Sequence, residues 1–474
     1  MADNIRKNVL SSVSYVLGAQ FLIMLIGVVR SLILPIFFSV PSYGYWGVYM
    51  FYTAYVVLFC IGYNDGIYLR YGEYDYKNLP FKLLRPSTRI YLLQLAVFSV
   101  ASFALVNLFV KDENVAFAMQ FAALNIFVIG IYVLLTHVLQ ITNQFKKYSF
   151  FSVVDKVAVL ITIGLMFIAN ENNFRLIIVV DFLSKVFVVA VMMWYTRALW
   201  IGKENMSYSA AIKEYWINVS VGIKLMIANL MSMLMVGAGR LIIQILDKIE
   251  NFAIYSFGIT ITTVVMTGIT AFSLVLYPIL KRLSKESYNS YFDKINTFTR
   301  SFGILSMLLY FPAYWLILLL YKEYTEVLVY LNFLFGVVFF QAKMSILNNT
   351  FYKILRKEKS MLYANMSCLL FFVITALAGF YFIKEIWIIA LCTFVAMVIR
   401  SYLSEIYLQK KLEKKIDRKS IYEVIYLSVF ILSTSFCNIF VALIAVSFCC
   451  LVYFVLDRKN IYETAMTLLK KNSD

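Results

Sequence analysis

The sequence predicts an all-α polytopic membrane protein with about 14 transmembrane helices. Of its 474 residues, 62% are hydrophobic and 15% are charged, whereas a soluble globular chain has about 45–50% apolar and about 25% charged residues. The apolar residues form fourteen long stretches, and the loops between them alternate between basic and nearly uncharged. Together these observations exclude a water-soluble enzyme.

The fourteen stretches follow one another along the whole chain, and each approaches the ~20 residues that cross a bilayer. Six lie near 10–40, 46–67, 90–110, 115–141, 149–169 and 174–196. After the polar segment KENMSYSAAIKEY, eight more lie near 216–245, 251–277, 301–321, 327–350, 361–383, 386–408, 421–437 and 438–456. Cys437 and Asn438 alone separate the last two, so 421–456 could instead form one re-entrant feature or a tight helical hairpin.

The positive charge of the chain is distributed unequally between the two sides that fourteen spans define. Of the 43 Lys and Arg residues, 31 fall in loops on the side of both termini, and one of these, Arg300, is placed at the entrance to span 9. The opposite loops carry five, which are Lys111, Arg175, Lys248, Lys322 and Lys384. Cytoplasmic loops are enriched in Lys and Arg, so both termini are predicted to be cytoplasmic. The net charge of +17 thus reflects topology and attraction to anionic lipid rather than nucleic-acid binding.

The loops offer no catalytic centre. Those on the outer side are short, and those on the inner side lack a phosphate-binding fingerprint. The six cysteines lie inside apolar runs without metal-ligand spacing to the lone His137. Neither an enzyme nor an ATP-driven pump is expected, and no catalytic residue, metal or cofactor is predicted. A secondary transporter or a lipid flippase remains.

An internal repeat is indicated when the sequence is shifted by 210 residues against itself. Arg30 then aligns with Arg240, and Asn8-Val9 aligns with Asn218-Val219. Both halves would start on the inner side, so the repeat is parallel, with a pseudo-twofold axis along the membrane normal. The predicted domains are a six-helix bundle at 1–200, a second at 201–410, and two extra helices with a cytoplasmic tail at 411–474.

Seven basic residues fall within the predicted spans, where a central charge costs at least about 2.5–3.5 kcal/mol and usually faces a partner or an aqueous cavity. They are Arg30, Lys156, Lys185, Lys224, Arg240, Lys343 and Arg400. Local explanations exist for three of them. Lys156 follows Asp155, Lys185 lies one turn after Asp181, and Lys224 is close enough to a span end to snorkel.

The remaining four, Arg30, Arg240, Lys343 and Arg400, have no carboxylate one turn away in their own helices. A role in a cavity is favoured over a cross-helix ion pair, although the helix of Arg240 could end near Gly239. All seven are therefore candidates to line a cationic cleft. Such a cleft would suit a diphosphate or an acidic sugar, because a guanidinium group matches phosphate oxygens in a fork.

Three titratable residues are candidates for ion coupling. Asp155 and Asp181 are intramembrane acids with basic neighbours, and His137 lies in the inner half of span 4. A lone histidine is more often a hydrogen-bonded packing residue than a proton carrier. Proton, sodium and membrane potential alone all stay open as the driving force.

Several sequence stretches resemble polysaccharide repeat-unit flippases of the Wzx type, in the superfamily that also holds the MATE exporters and the lipid II flippases. The first span ends in "GVVRSLILPIF" and is followed by "PSYGYWGVYMFYTAYVVLFCIGYNDGIYLRYGEY". The latter is similar to the family's sequence at the entry to span 2, which contains "YG". It is also similar to the family's sequence at the exit from span 2, where this chain has Ile61-Gly62 and Arg70. The stretch "LQITNQFKKYSF" resembles the family's inner loop between spans 4 and 5.

The resemblance implies two six-helix bundles flanking a cleft, and alternating-access translocation of undecaprenyl-diphosphate-linked oligosaccharide to the outer leaflet of the bacterial inner membrane. It implies a place in O-antigen, capsule or lipopolysaccharide biosynthesis. The implied partners are that lipid-linked glycan, membrane lipids, a polysaccharide polymerase and a chain-length regulator. The alternatives are a lipid II flippase, an ion-coupled small-molecule exporter and a membrane scaffold for glycan-synthesis enzymes. Multidrug exporters of the superfamily often carry an acidic cation site in the first bundle, whereas span 1 here carries Arg30. This difference disfavours export of cationic drugs.

Overall fold

The computed structural model describes residues 2–72, 74–169, 172–202, 207–281, 287–415, 417 and 419–469. Of these, 2–17, 155, 232, 267–281, 358, 465 and 467–469 are described by their backbone alone. Within this part of the chain, the secondary structure is helical throughout and contains no strand.

The first half of the chain forms nine α-helices. They are α1 (Ala2–Phe37), α2 (Val40–Tyr55), α3 (Tyr63–Arg70), α4 (Phe81–Phe109), α5 (Glu113–Ile141), α6 (Phe145–Ala169), α7 (Phe174–Tyr195), α8 (Tyr208–Leu246) and α9 (Ile249–Lys281). Short 3₁₀ turns connect α2 to α3 and precede α4.

The second half forms nine more. They are α10 (Tyr288–Met307), α11 (Tyr310–Leu320), α12 (Leu331–Lys343), α13 (Asn349–Ile354), α14 (Glu358–Ile383), α15 (Ile386–Lys411), α16 (Ser420–Phe436), α17 (Ile439–Leu456) and α18 (Arg458–Leu469). A π-helical turn, Met344–Asn348, joins α12 to α13 without interrupting the helical path.

The helices account for the predicted spans and confirm an all-α polytopic membrane fold. In the described part of the chain, eleven helices are long and apolar enough to cross a membrane. Two bent pairs, Val40–Cys60 with Tyr63–Arg70 and Tyr208–Met231 with Met233–Leu246, raise the number to 13. The shorter apolar helix α16 corresponds to the remaining stretch. The segment 421–456 forms two separate helices rather than one re-entrant feature.

Three of the predicted outer turns hold side chains that cap the following helix. Asp112 accepts hydrogen bonds from the backbone N–H groups of Asn114 and Val115, at 2.9 and 2.8 Å. Asn173 and Asn438 cap α7 and α17 in the same way. Such caps satisfy N–H groups that have no partner inside the helix, so a short turn suffices to start a new span.

The chain divides into two compact units, Met1–Leu230 and Met231–Asp474. The core of unit 1 is formed mainly by α3, α4, α5 and α7, with Tyr63, Tyr91 and Leu135 fully buried. A core in unit 2 is formed by α10, α12, α13 and α15 around Phe292, Leu347 and Phe351. The parallel repeat and the separate C-terminal pair of helices stay predictions.

Candidate functional site

A buried polar cluster in unit 1 surrounds Asp181 on α7, whose exposed fraction is 1%. Its carboxylate accepts hydrogen bonds from the Tyr49 hydroxyl and the Lys185 ammonium, one helical turn away. The Asn125 amide donates to Tyr49 Oη at 2.8 Å, and Lys156 adds electrostatic attraction. The local Asp181–Lys185 pair is therefore present, and three further helices contribute to its surroundings.

Arg30 and Lys224 have different surroundings in unit 1. The Arg30 guanidinium lies 5.7 Å from the centre of the Trp46 ring, and its side chain is half-buried. Lys224, on α8, is exposed. Neither residue contacts a carboxylate among the residues that the structure describes.

The single histidine makes contacts typical of a packing residue. The His137 Nδ1 atom lies 3.1 Å from the backbone oxygen of Asn64, and its ring packs 5.1 Å from that of Tyr68. Asp65, which follows Asn64 on α3, interacts electrostatically with the His137 ring. A role in ion coupling stays a prediction for His137, as it does for Asp181. The side chain of Asp155 lies outside the described part of the chain.

A second polar network joins α3 to the first half of α8. Arg70 Nη1 donates to Glu214 Oε1 at 2.6 Å and to Asn218 Oδ1 at 2.5 Å. The Tyr71 hydroxyl also donates to Glu214 Oε1, at 2.6 Å. Burial and the Glu214 carboxylate raise the pKa of Tyr71, so its hydroxyl remains a protonated donor at neutral pH. The positive-inside prediction places this network at the inner end of both helices.

Glycines bring the backbones of α3 and α8 into direct contact beside this network. A β-carbon on Gly222 would overlap with the Gly62 carbonyl oxygen and the Gly66 amide nitrogen, and one on Gly66 would overlap with the Asn218 carbonyl oxygen. Gly62 also has a φ of +78°, a conformation that L side chains rarely adopt. The crossing therefore has no room for larger residues.

Stacked tyrosines extend the same interface. The Tyr63 ring lies between those of Tyr91 and Tyr215, with centroid distances of 4.5 and 5.4 Å and interplanar angles of 17° and 19°. The Tyr215 hydroxyl donates a hydrogen bond to Gln94 on α4. The first half of α8 is thus held to α3 and α4 by ionic, aromatic and backbone contacts at once.

Unit 2 contains a buried cluster of charged residues, which we call the charge cluster: Arg300, Lys343, Glu405, Asp417 and Glu423. Lys343 Nζ lies 2.6 Å from Glu405 Oε2 and 2.7 Å from Glu423 Oε2. Arg300 donates through Nε to Glu423 at 2.9 Å and through Nη2 to Asp417 at 2.7 Å. The cluster therefore links α10, α12, α15, α16 and the loop before α16.

Two sequence expectations change here. The sequence places Arg300 in an inner loop, but it lies inside α10 and is 1% exposed. Its charge is compensated by Asp417 and Glu423, which are more than a hundred positions away along the chain. Lys343 makes cross-helix ion pairs, which is the alternative that the sequence had left open for it. Substrate binding by Lys343 stays a prediction, although its charge is already compensated.

Asp417 lies in the loop between α15 and α16, outside the spans. Partial burial alone would raise its pKa, but the Arg300 guanidinium and the backbone N–H of Lys419 stabilise the charged form more strongly. The pKa of Asp417 is therefore lowered, and its carboxylate is ionised at neutral pH.

Arg400 is a buried guanidinium in unit 2 without a carboxylate partner among the described residues. Its Nε donates to Asn365 Oδ1 on α14 at 2.9 Å, and Nη1 contacts the Met397 sulfur at 3.8 Å. Arg240, on α8, is half-buried. The structure thus places Arg400 and Lys343 in one unit but gives them different electrostatic environments.

Sequence reasoning missed Glu214, Glu405 and Glu423, because hydropathy placed them at span ends, where a carboxylate needs no explanation. The sequence pattern around Glu405 does indicate a buried polar role. Gln409 follows Glu405 by one helical turn and Arg400 precedes it, so a polar stripe continues into the inner end of span 12. The Gln409 amide does donate to Glu405 Oε1, at 3.0 Å.

Comparison with known proteins gives structural relatives only. The chain matches no protein-family model and none of the curated protein sequences. A MATE multidrug transporter, DinF-BH, solved in complex with R6G, is 15% identical with a TM-score of 0.53, over 85% of this chain and 95% of that one. An outward-facing multidrug resistance MATE transporter of the MOP superfamily is 11% identical with a TM-score of 0.51, over 84% and 95%.

The class that these similarities define is one of fold: the chain shares a polytopic all-α membrane fold with these proteins. The lipid II flippase MurJ, in an inward closed conformation, matches with a TM-score of 0.64 at 14% identity. This match covers 94% of the present chain and 99% of MurJ, so it extends over parts of both units. The all-α polytopic membrane fold that the sequence predicts is therefore confirmed.

Proposed function

We propose that the protein is a flippase that moves undecaprenyl-diphosphate-linked oligosaccharide repeat units from the inner to the outer leaflet of the bacterial inner membrane by alternating access. The observation that carries the proposal is the set of intramembrane cations without carboxylate contacts. In the described part of the chain these include Arg30, Lys224 and Arg400. The fold shared with MurJ supports a lipid-linked substrate.

The proposed cationic cleft also includes Arg240, Lys343, Lys185 and Lys156. A cation in a low-dielectric region is costly unless an anion compensates it, and a diphosphate would do so on arrival. Arg400 is expected to contribute more than Lys343 or Lys185, whose charges already face carboxylates. The sugars would cross with the diphosphate, while the polyprenyl tail stays in lipid.

The membrane potential would assist outward movement of the anionic head group. A charge of about −2 gains roughly 4–5 kcal/mol per 100 mV when it moves from a negative interior to the outside. Ion antiport through Asp181, Asp155 or His137 would add to this gain or reset the empty carrier. A polysaccharide polymerase and a chain-length regulator are the proposed partners on the outer side.

The test uses a strain whose own copy is deleted, with surface polysaccharide as the readout. We expect Arg30→Ala and Arg400→Ala each to reduce export about 10-fold or more, because a charge-assisted hydrogen bond is worth roughly 1.5–3 kcal/mol. The matched control is Arg197→Ala, an exposed arginine of an inner loop. Membrane abundance of each variant is measured by immunoblot. If both variants export as well as R197A at equal abundance, the cationic-cleft mechanism is wrong.

A lipid II flippase is the second candidate, favoured by the fold match to MurJ. The two functions differ in the head group carried by the undecaprenyl diphosphate. Expression in cells depleted of their lipid II flippase distinguishes them. Restored peptidoglycan synthesis without glycan export would favour a lipid II flippase. Drug resistance without restored peptidoglycan synthesis and without glycan export would favour a small-molecule exporter.

A further inference from the structure

Arg400 is a buried cation of unit 2 whose charge is compensated by none of the described carboxylates. Its exposed fraction is 1%, and it lies in the interior of α15, away from both helix ends. Its two hydrogen-bond partners are neutral, since the Asn365 amide oxygen accepts from Nε and the Met397 sulfur accepts from Nη1. A guanidinium group stays protonated in proteins, so its burial without an anion costs free energy. This cost favours uptake of a negative ligand.

The Arg400 guanidinium also has donors left over. A guanidinium group carries five N–H donors, and Nη2 of Arg400 donates to none of the described residues. Arg300 in the same unit differs, because its Nε and Nη2 atoms both reach carboxylates. Unit 2 thus compensates one buried arginine with its own acids and leaves the other with free donors.

Hydroxyl groups lie next to the Arg400 guanidinium. Ser404 follows Arg400 by one helical turn, so the two side chains share one face of α15. Tyr352 on α13 interacts electrostatically with Arg400, and its hydroxyl adjoins that of Ser404. Both Ser404 and Tyr352 are 1% exposed. A hydroxyl hydrogen can rotate toward its partner, so each of these groups can donate to an anion.

An independent observation concerns the Ser404 hydroxyl. Its Oγ atom is buried and forms no hydrogen bond with the described residues. Buried polar atoms are normally paired, so an unpaired one calls for a water molecule or a ligand. Because Ser404 shares a face of α15 with Arg400, one anion between them could accept from both. A neutral water molecule would satisfy the hydroxyl but would leave the charge of Arg400 uncompensated.

We propose that unit 2 binds a small monovalent inorganic anion, of the size of chloride, at Arg400. The guanidinium group is the charged ligand, and the hydroxyls of Ser404 and Tyr352 are the neutral donors. A single negative charge compensates the single charge of Arg400. The small size follows from the burial of all three side chains, which α13, α14 and α15 contribute or enclose.

Anion binding by itself does not depend on the proposed function, whereas its part in transport rests on it. In a transport cycle the substrate diphosphate would displace the anion from Arg400. The two hypotheses fail separately. Undiminished export by R400A would overturn the role of Arg400 in export and leave the anion site intact. Export that requires Arg400, in a protein that binds no anion there, would overturn the anion site alone.

The test compares thermal unfolding of the purified full-length chain in sodium chloride and in sodium gluconate at equal concentrations. A ligand that binds only the folded state stabilises it increasingly with concentration, so the Tm of the wild type should rise with chloride. Arg400→Gln removes the charge and should abolish the difference between the salts. The matched control is Arg197→Gln, an exposed arginine, which should retain it. The proposal is overturned if the wild type shows no difference, or if the difference persists in R400Q.

A second pair of variants keeps the charged ligand and tests the position of the anion even if R400Q does not fold. The chloride dependence of Tm gives an apparent Kd for each variant. Ser404→Ala removes one donor and should raise this Kd about 10-fold, because a hydrogen bond to a charged partner is lost. Ser401→Ala removes a buried hydroxyl from another face of α15 and should leave the Kd unchanged. Equal values for S404A and S401A would place the anion elsewhere and overturn the assignment.

Discussion

Asp417 is the member of the charge cluster that connects it to solvent, and its carboxylate contributes stability that depends on pH. Because its pKa is lower in the folded than in the unfolded chain, this stability is fully present above the unfolded value of about 3.9. It is lost as the pH falls through the folded value, when protonation weakens the contact with Arg300.

We therefore expect Asp417→Asn to lower the Tm at neutral pH and to flatten the decrease of Tm below about pH 4. The measurement is thermal unfolding of the purified chain as a function of pH. The control is Asp293→Asn, because Asp293 forms an exposed ion pair with Lys414 that contributes little. Parallel acid limbs for D417N and the wild type would contradict the linkage to Arg300.

Individual residues differ in how far the sequence predicts their surroundings. The Asp181–Lys185 pair was predictable because both residues lie one turn apart on one helix. The partners of Lys343 were not, since Glu405 and Glu423 are 62 and 80 positions away and reach it from other helices. Hydropathy identifies a buried charge but carries no information on which distant helix compensates it.

At the scale of elements, the crossing of α3 and α8 shows how small residues permit close packing. Gly222→Ala would place a methyl group against the Gly62 carbonyl, and the two backbones could not both keep their positions. We expect this variant to separate the inner ends of α3 and α8, with loss of the Arg70–Glu214 pair.

The separation is measured by disulfide cross-linking of a cysteine pair at Arg70 and Glu214, with and without G222A. Cross-linking should fall several-fold in G222A. Gly164→Ala on α6 is the matched control, because a β-carbon there meets nothing within 4 Å. An undiminished yield in G222A would show that the crossing tolerates a side chain.

The helices themselves were largely predictable, since each predicted span has a helical counterpart. The apolar length of a span is set by the bilayer, so a single sequence carries it. The bends were not predictable from hydropathy. The 61° bend between Val40–Cys60 and Tyr63–Arg70 depends on left-handed backbone at Ile61 and Gly62, which lie inside one continuous apolar stretch.

At the scale of the whole molecule, the topology is open to a direct test through a native cysteine. Cys437 is exposed in the turn between α16 and α17, whereas Cys60, Cys368 and Cys450 are buried. With both termini inside, this turn faces outward. An impermeant maleimide should therefore label intact cells expressing the protein, and Cys437→Ser should abolish most of that labelling. Labelling only after permeabilisation would invert the predicted orientation.

The sequence by itself determined the membrane class, the positions of the apolar stretches and the alternation of charge along the chain, because these depend on the bilayer and on each stretch separately. The tertiary structure decided which intramembrane charges are compensated. It placed Lys343 and Arg300 against carboxylates of other helices, and it left Arg400 beside a neutral amide. The physical reason is that ion pairing across helices depends on distances between segments remote in sequence, whereas insertion into a membrane depends on local composition.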